Sequence, residues 1–348
     1  MTAPAWLGLT DLASRRLGGG VVGTNDELFA AADNLVTPEP PGFTPRTFGP
    51  KGQVYDGWET RRRRVAGEDW AIVRLGAAGV VRGVVVDTSH FTGNFPPEAS
   101  VQGCRRGGHP SLDDLLAADW VPLVSRSSLA GDTANPFDVD GGPLVTHVRL
   151  VIHPDGGVAR LRVHGEVVPD PVRFPDGWLD LAAAENGGRV VGCSDLFYGA
   201  PGQLIEPGLA RTMGEGWETR RRRDAGNDWV VVRLAAPGRI RLAELDTSHF
   251  KGNAPGAAAL TGLDDRKADP ADPAAWFPLL PRADLRPDTR HRFPLRTDPV
   301  TQVRLDIYPD GGMARLRLHG HLDDGVLDTL RTAWLPAPGE EQSESTVR

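Results

Sequence analysis

Asp56-Gly-Trp-Glu-Thr-Arg-Arg-Arg-Arg64 returns almost letter for letter as Glu215-Gly-Trp-Glu-Thr-Arg-Arg-Arg-Arg223. Downstream, Gly67-Glu-Asp-Trp-Ala-Ile-Val-Arg-Leu75 returns as Gly226-Asn-Asp-Trp-Val-Val-Val-Arg-Leu234. Asp87-Thr-Ser-His-Phe-Thr-Gly-Asn94 returns as Asp246-Thr-Ser-His-Phe-Lys-Gly-Asn253. All three blocks share the interval from His90 to His249, 159 residues. Pro154-Asp-Gly-Gly157 comes back 155 residues later as Pro309-Asp-Gly-Gly312, and Trp120-Val-Pro-Leu123 as Trp276-Phe-Pro-Leu279. Upstream, Gly23-Thr-Asn-Asp26 is echoed by Gly192-Cys-Ser-Asp195. Ordered matches at nearly constant spacing, in two copies only, mean a duplicated domain rather than a solenoid. The expected layout is an N-terminal extension over 1–22, a first repeat over 23–170, a second over 171–335, and a polar, disordered tail over 336–348.

The 348 residues suit two domains of about 150 each. Forty-two glycines and 30 prolines favour many short segments over long helices. A net charge of −7 gives no support to nucleic-acid or anionic-membrane binding. The two cysteines, Cys104 and Cys193, fall at unmatched places in the copies, which suggests a reducing compartment rather than a disulfide framework. With no Cys-x-x-Cys pattern, signal-peptide order or long apolar run, the expectation is a cytoplasmic protein without a thiolate zinc site.

Period-two patterning predicts strands over Thr146–Ile152 and after Gly157, joined as a hairpin through the Asp-Gly turn, with Asp155 and Asp310 serving the turn. Trp70–Leu75, Val80–Val86 and their second copies also read as strands. Helices are expected at Leu7–Leu17 and at Ser111–Ala118, where Ser111 suits an N-cap. Such a pattern reads as all-β, a sandwich or jelly roll per repeat. The tryptophans flank strand-like runs and are expected in the core.

Two blocks can carry chemistry. If the arginine run is a strand, Arg61 and Arg63 share the face of Glu59, with Arg220, Arg222 and Glu218 matching. A guanidinium grips a carboxylate bidentately at any working pH, although charge runs are commonly solvated edges or subunit contacts. In the second block, His90 and His249, with Ser89, Asn94 and Asn253, follow apolar strands and enter loops, where sites are built. The plain alternative is a satisfied turn. No His-x-His or His-Glu-x-x-His spacing appears.

Taken together, Gly23-Thr-Asn-Asp26, the Trp-Glu-Thr-Arg run, Asp69-Trp70, the Asp-Thr-Ser-His-Phe block and the Pro-Asp-Gly-Gly turn resemble the allantoicase (allantoate amidinohydrolase) family over about Gly23 to Trp334. The resemblance implies two tandem galactose-binding-like jelly-roll β-sandwiches, hydrolysis of allantoate to ureidoglycolate and urea in purine degradation, and a homo-oligomer. From the chemistry of the residues rather than from the resemblance, catalysis is assigned to His90 and Glu59, and to His249 and Glu218 in the second copy. Substrate binding falls to Arg61, Arg63, Ser89 and Asn94, or Arg220, Arg222 and Asn253. No cofactor is identified; a divalent metal that activates water is the second mechanism left open, with no ligand motif behind it. The rival reading is a non-catalytic carbohydrate- or anion-binding tandem jelly roll.

Overall fold

The computed structural model describes residues 3–335; the expected tail over 336–348 lies outside them. The first half comprises β1 (Thr10–Asp11), β2 (Gly20–Thr24), β3 (Asp69–Asp87), β4 (Glu98–Cys104), β5 (Val121–Ser128), β6 (Ala134–Asp138), β7 (Leu144–His153) and β8 (Arg160–Val167). The second half repeats it with β9 (Trp178–Asp180), β10 (Arg189–Cys193), β11 (Asp228–Asp246), β12 (Ala257–Leu263), β13 (Phe277–Asp284), β14 (Arg290–Pro294), β15 (Val300–Tyr308) and β16 (Arg315–Leu322).

One long strand organises each half. Over its first part β3 pairs with β7 on one side and β2 on the other; over its second part it pairs with β8 and β6. β7 continues to β4 and β4 to β5, all antiparallel. The sheet therefore folds over along β3 into the two layers of a jelly-roll sandwich. Val73, Val84, Val101, Leu150 and Leu161 meet between the layers, each fully buried. β11 does the same for the second half around Val232, Leu245, Leu260, Leu305 and Leu316. Alternating apolar positions built on β-branched residues place one face of each layer inward.

Three local expectations are corrected. β7 and β8 do not pair as a hairpin; they flank β3, and Pro154-Asp-Gly-Gly157 carries the chain across from one to the other after a cis His153–Pro154 bond. The residues before Gly23 are no extension. Thr10 and Asp11 pair with β8, and Leu12 and Leu17 enter the first core, because a sandwich edge needs a partner and these apolar side chains need a home. No helix forms over Leu7–Leu17; 3-10 turns over Ala5–Gly8 and Arg15–Leu17 flank β1 instead. The second helix is present as α1 (Leu112–Leu116), with Ser111 and Asp114 forming a capping box.

Candidate functional site

A cleft of about 480 Å³ opens at one end of the first sandwich. Its walls come from four pieces: Phe29 in the loop after β2, the stretch after Trp58, the loop after β3, and the Pro-Asp-Gly-Gly crossover between β7 and β8. Trp58 and Glu59 form a two-residue strand against Gly157 and Val158, with Ala30 bridging Glu59 from the other side. Alternation then decides directions: Trp58 is fully buried, its indole N–H donating to the Asp26 carbonyl at 2.8 Å, and Glu59 faces the cleft. Buried Thr60 locks the crossover by exchanging hydrogen bonds with Gly156.

Asn94 Nδ2 donates to Glu59 Oε1 at 2.7 Å. Burial raises the Glu59 carboxyl above its ordinary range, partly offset by this bond. Arg62 and Arg63 stand on the same wall, with Phe29, Phe95 and Pro97 around them. Arg63 is fixed twice. Its guanidinium bonds the buried Asp69 carboxylate at 2.5 Å, and its backbone N–H donates to Asp155 Oδ2 at 2.8 Å. Asp155 thus joins the crossover to the arginine run, a role beyond the turn expected of it. Its presence in both copies, on a turn that would accept other residues, is the signal that could have found it.

The remaining expected residues fall elsewhere. The strand ends at Glu59, so the four arginines do not alternate as they would in an extended ladder. Arg61 turns to Asp26, Nε to Oδ2 at 2.5 Å, on a neighbouring depression shared with Asn25 and Lys51. Ser89 closes a turn, its N–H and hydroxyl both donating to Asp87 Oδ1. His90 sits at φ +69° with its N–H donating to Asp132 Oδ1 at 2.7 Å. Its ring is stacked on Phe43, with Nε2 3.1 Å from the Pro41 carbonyl, outside the lining of the cleft.

The second copy keeps the framework. Asn253 bonds Glu218 at 2.5 Å, Arg222 bonds Asp228 at 2.8 Å, and Asp310 accepts from the Arg222 N–H at 2.9 Å. Arg220 bonds Asp195 at 2.7 Å; Ser248 caps on Asp246; His249 Nε2 lies 2.9 Å from the Ala210 carbonyl. Two differences matter. Asp224, where the first copy has Val65, takes a second hold on Arg222 at 3.0 Å. Ala254 replaces Phe95 and removes one aromatic ring, while Tyr198 stands where Phe29 does. Among the described residues, no three His, Cys, Asp or Glu side chains gather to hold a metal ion.

The family model described as "Allantoicase repeat" matches residues 10–168 and 179–323. A protein named "Probable allantoicase" from Nocardia farcinica is 58% identical over 318 residues, covering 90% of this chain and 94% of that one. Another of the same name from Streptomyces coelicolor is 50% identical over 331 residues, covering 91% and 86%. The crystal structure of allantoicase from Saccharomyces cerevisiae is 33% identical, covers 90% of this chain and 93% of its own, and superposes with a TM-score of 0.76.

Proposed function

This chain belongs to the allantoicase family, and from that premise we propose that it hydrolyses allantoate to ureidoglycolate and urea in the cleft of its first repeat. The observation that carries the choice of site is the Glu59–Asn94 pair on one wall with Arg62 and Arg63.

Allantoate has a carboxylate and two ureido groups on one carbon. Arg62 and Arg63 take the carboxylate; a planar guanidinium whose backbone is already fixed by Asp155 loses little freedom on binding it. Glu59, favoured in its neutral form by burial, gives its proton to the nitrogen of the departing ureido group. The lone pair of the remaining ureido nitrogen expels that group, the C–N bond breaks, and urea leaves. Water adds to the cationic carbon and returns its proton to the Glu59 carboxylate, which completes ureidoglycolate. Asn94 orients the carboxyl throughout. Phe29, Phe95 and Pro97 shield the cleft from bulk water.

Glu218 and Asn253 repeat the acid pair, but Arg222 is doubly held by Asp228 and Asp224, and the ring of Phe95 has no counterpart. We assign the second copy a supporting role. His90 and His249, each bonded to a backbone carbonyl, position the segments around Pro41 and Ala210. Incubating purified protein with allantoate and measuring urea tests the activity; sugar binding without urea would favour the rival. Metal analysis, then chelation and assay, tests whether a divalent ion takes part.

Two further readings rest on surface features. Leu196, Phe197 and Tyr198 are 66%, 60% and 68% exposed in a row, an apolar patch that supports a homo-oligomer. Light scattering on the purified protein checks it. Both cysteines are free, which supports a cytoplasmic setting, and no described helix is long and apolar enough to cross a membrane.

A further inference from the structure

A second cavity, about 360 Å³, lies where the two repeats join. The first sandwich contributes Arg74 from β3, Arg106 after β4, and Thr146 and His147 from β7. The linker contributes Arg173, and the second repeat contributes Glu185. None of these three arginines forms an ion pair among the described residues. Arg74 donates to the Gly18 carbonyl at 3.1 Å, and Arg106 makes a long bond, 3.4 Å, to the Arg105 carbonyl.

The duplication supplies an internal comparison. In the second repeat, Arg233, Thr301 and Gln302 stand where Arg74, Thr146 and His147 stand in the first: His147 pairs with Arg74 and Cys104, and Gln302 with Arg233 and Leu263. The backbone N–H of Arg106 donates to Thr146 Oγ1 at 2.8 Å, and that of Asp265 donates to Thr301 Oγ1 at 2.9 Å, so Arg106 and Asp265 are structural counterparts. Around Asp265 the second repeat builds a complete carboxylate cage. Thr301 Oγ1 donates at 2.7 Å, Gln302 Nε2 at 3.0 Å, and Arg233 closes the ion pair. The first repeat keeps the arginine and threonine of that set as Arg74 and Thr146, has His147 in place of Gln302 with its Nδ1 2.9 Å from Thr146 Oγ1, and replaces the caged carboxylate with another cation.

We propose that the junction cavity of the first repeat is an anion site that binds a small free carboxylate, which takes the place the Asp265 side chain fills in the second repeat. Guanidinium groups gathered without an ion pair repel one another, and a planar carboxylate satisfies them bidentately. The two acids of the lining, Asp170 and Glu185, form no ion pair with them among the described residues. Asp170 accepts from the Val172 N–H at 3.0 Å. Glu185 is kept toward its neutral form by burial, and its Oε2 is buried without a partner. Because the lining comes from both repeats, the bound anion also ties them together. The site is separate from the cleft around Glu59, and the inference does not depend on that cleft being catalytic.

Titration calorimetry with malonate, in a buffer free of other carboxylates, tests it on the full chain. The expected result is saturable binding that raises the melting temperature. R106D, which copies the second repeat, supplies the carboxylate internally: binding falls at least tenfold while urea release from allantoate is kept. R106M, which removes the cation without adding a charge, also weakens binding if R106D fails to fold. No saturable binding to the wild type, or equal binding by R106D or R106M, overturns the proposal. So does loss of urea release in folded R106D, since the cavity would then belong to the catalytic site.

Discussion

Asn94 and Glu59 are joined side chain to side chain at 2.7 Å although 35 residues separate them, and Asn253 and Glu218 repeat the bond at 2.5 Å. The pairing requires the loop after β3 and the strand at Trp58 to meet, and the Gly156–Gly157 crossover lies between them because no larger residue fits. A Cβ on Gly157 would stand 2.0 Å from the buried Phe91 ring. A side chain that needs a proton donor for its neighbour, a floor of glycine and a wall of arginine are thus products of one packing arrangement.

Replacing the acid separates the two copies. E59Q keeps the shape and removes the transferable proton, so kcat for urea release should fall about a hundredfold or more, the ordinary contribution of general acid–base catalysis. E218Q should change kcat by less than about threefold. Equal losses in both variants would show that the second copy also catalyses; no loss in either would remove Glu59 from the mechanism.

The pH profile follows from the direction in which burial moves Glu59. The acid form is the active one, so kcat should decline as pH rises through its raised pKa. The Asn94 N–H favours the charged form, and N94A should therefore move that decline to higher pH as well as lowering kcat. Stability falls in the same direction. Ionising a carboxyl that the fold prefers neutral costs stability above the folded pKa and nothing below the unfolded value of about 4.3. E59Q should melt above the wild type at pH 7, with the gap closing as pH falls toward 4.

The repeat, the strands and most of the cleft's residue types were legible in the sequence because period-two patterning and duplication are local or self-comparing signals. What was missed depended on long-range pairing. The Pro-Asp-Gly-Gly turn looks like a hairpin from its neighbours alone; only the insertion of β3 between β7 and β8 turns it into a crossover and frees Asp155 to hold Arg63. Arg61 and Arg63 were placed on one face by assuming an extended ladder, yet the strand stops at Glu59, and the run is then directed by Asp26, Asp69 and Asp155, acids 35, 6 and 92 residues away. His90 carried no sequence mark of its positive φ, which turns its ring to Pro41.

Arg63 and Arg61 should respond differently to truncation. Asp69 is 2% exposed, and R63A would leave its charge unpaired, with the Asn25 Nδ2 donor at 3.1 Å as its remaining side-chain partner, at a cost of about 3 kcal/mol. Arg61 is 65% exposed, and Asp26 keeps backbone donors from Leu28 and Arg61 itself, so R61A should cost about 1 kcal/mol or less. Urea unfolding checks both. A larger loss in R61A would show that the neighbouring depression, rather than the Asp69 pair, holds the arginine run in place.

Arg160 is 1% exposed and gathers the segment that precedes Trp58. It donates to the carbonyls of Glu39, Asp56 and Ala159 and to the Asp56 carboxylate at 2.8 Å. R160M removes all four bonds, leaving the Asp56 carboxylate only the Gly42 N–H at 2.8 Å, and should destabilise by about 3–5 kcal/mol. Its counterpart Arg315 serves carbonyls alone, those of Gly208, Glu215 and Ala314, and R315M should cost less, about 2 kcal/mol. Calorimetric melting of the two variants orders them.

His90 offers the sharpest division between positioning and chemistry. Its positive φ is tolerated by asparagine, so H90N can preserve the backbone, including the N–H to Asp132, while removing the ring from Phe43 and Pro41. A histidine that moves a proton in the transition state is worth about a hundredfold to ten-thousandfold. One that props the Pro41 segment should cost less than about tenfold in kcat, with KM rising if the segment loosens over the cleft. H90N and the H90N/H249N double variant, assayed for urea release with folding checked by circular dichroism, decide it. A drop beyond a hundredfold in folded protein would return the ring to the reaction and require the Pro41 segment to open during turnover.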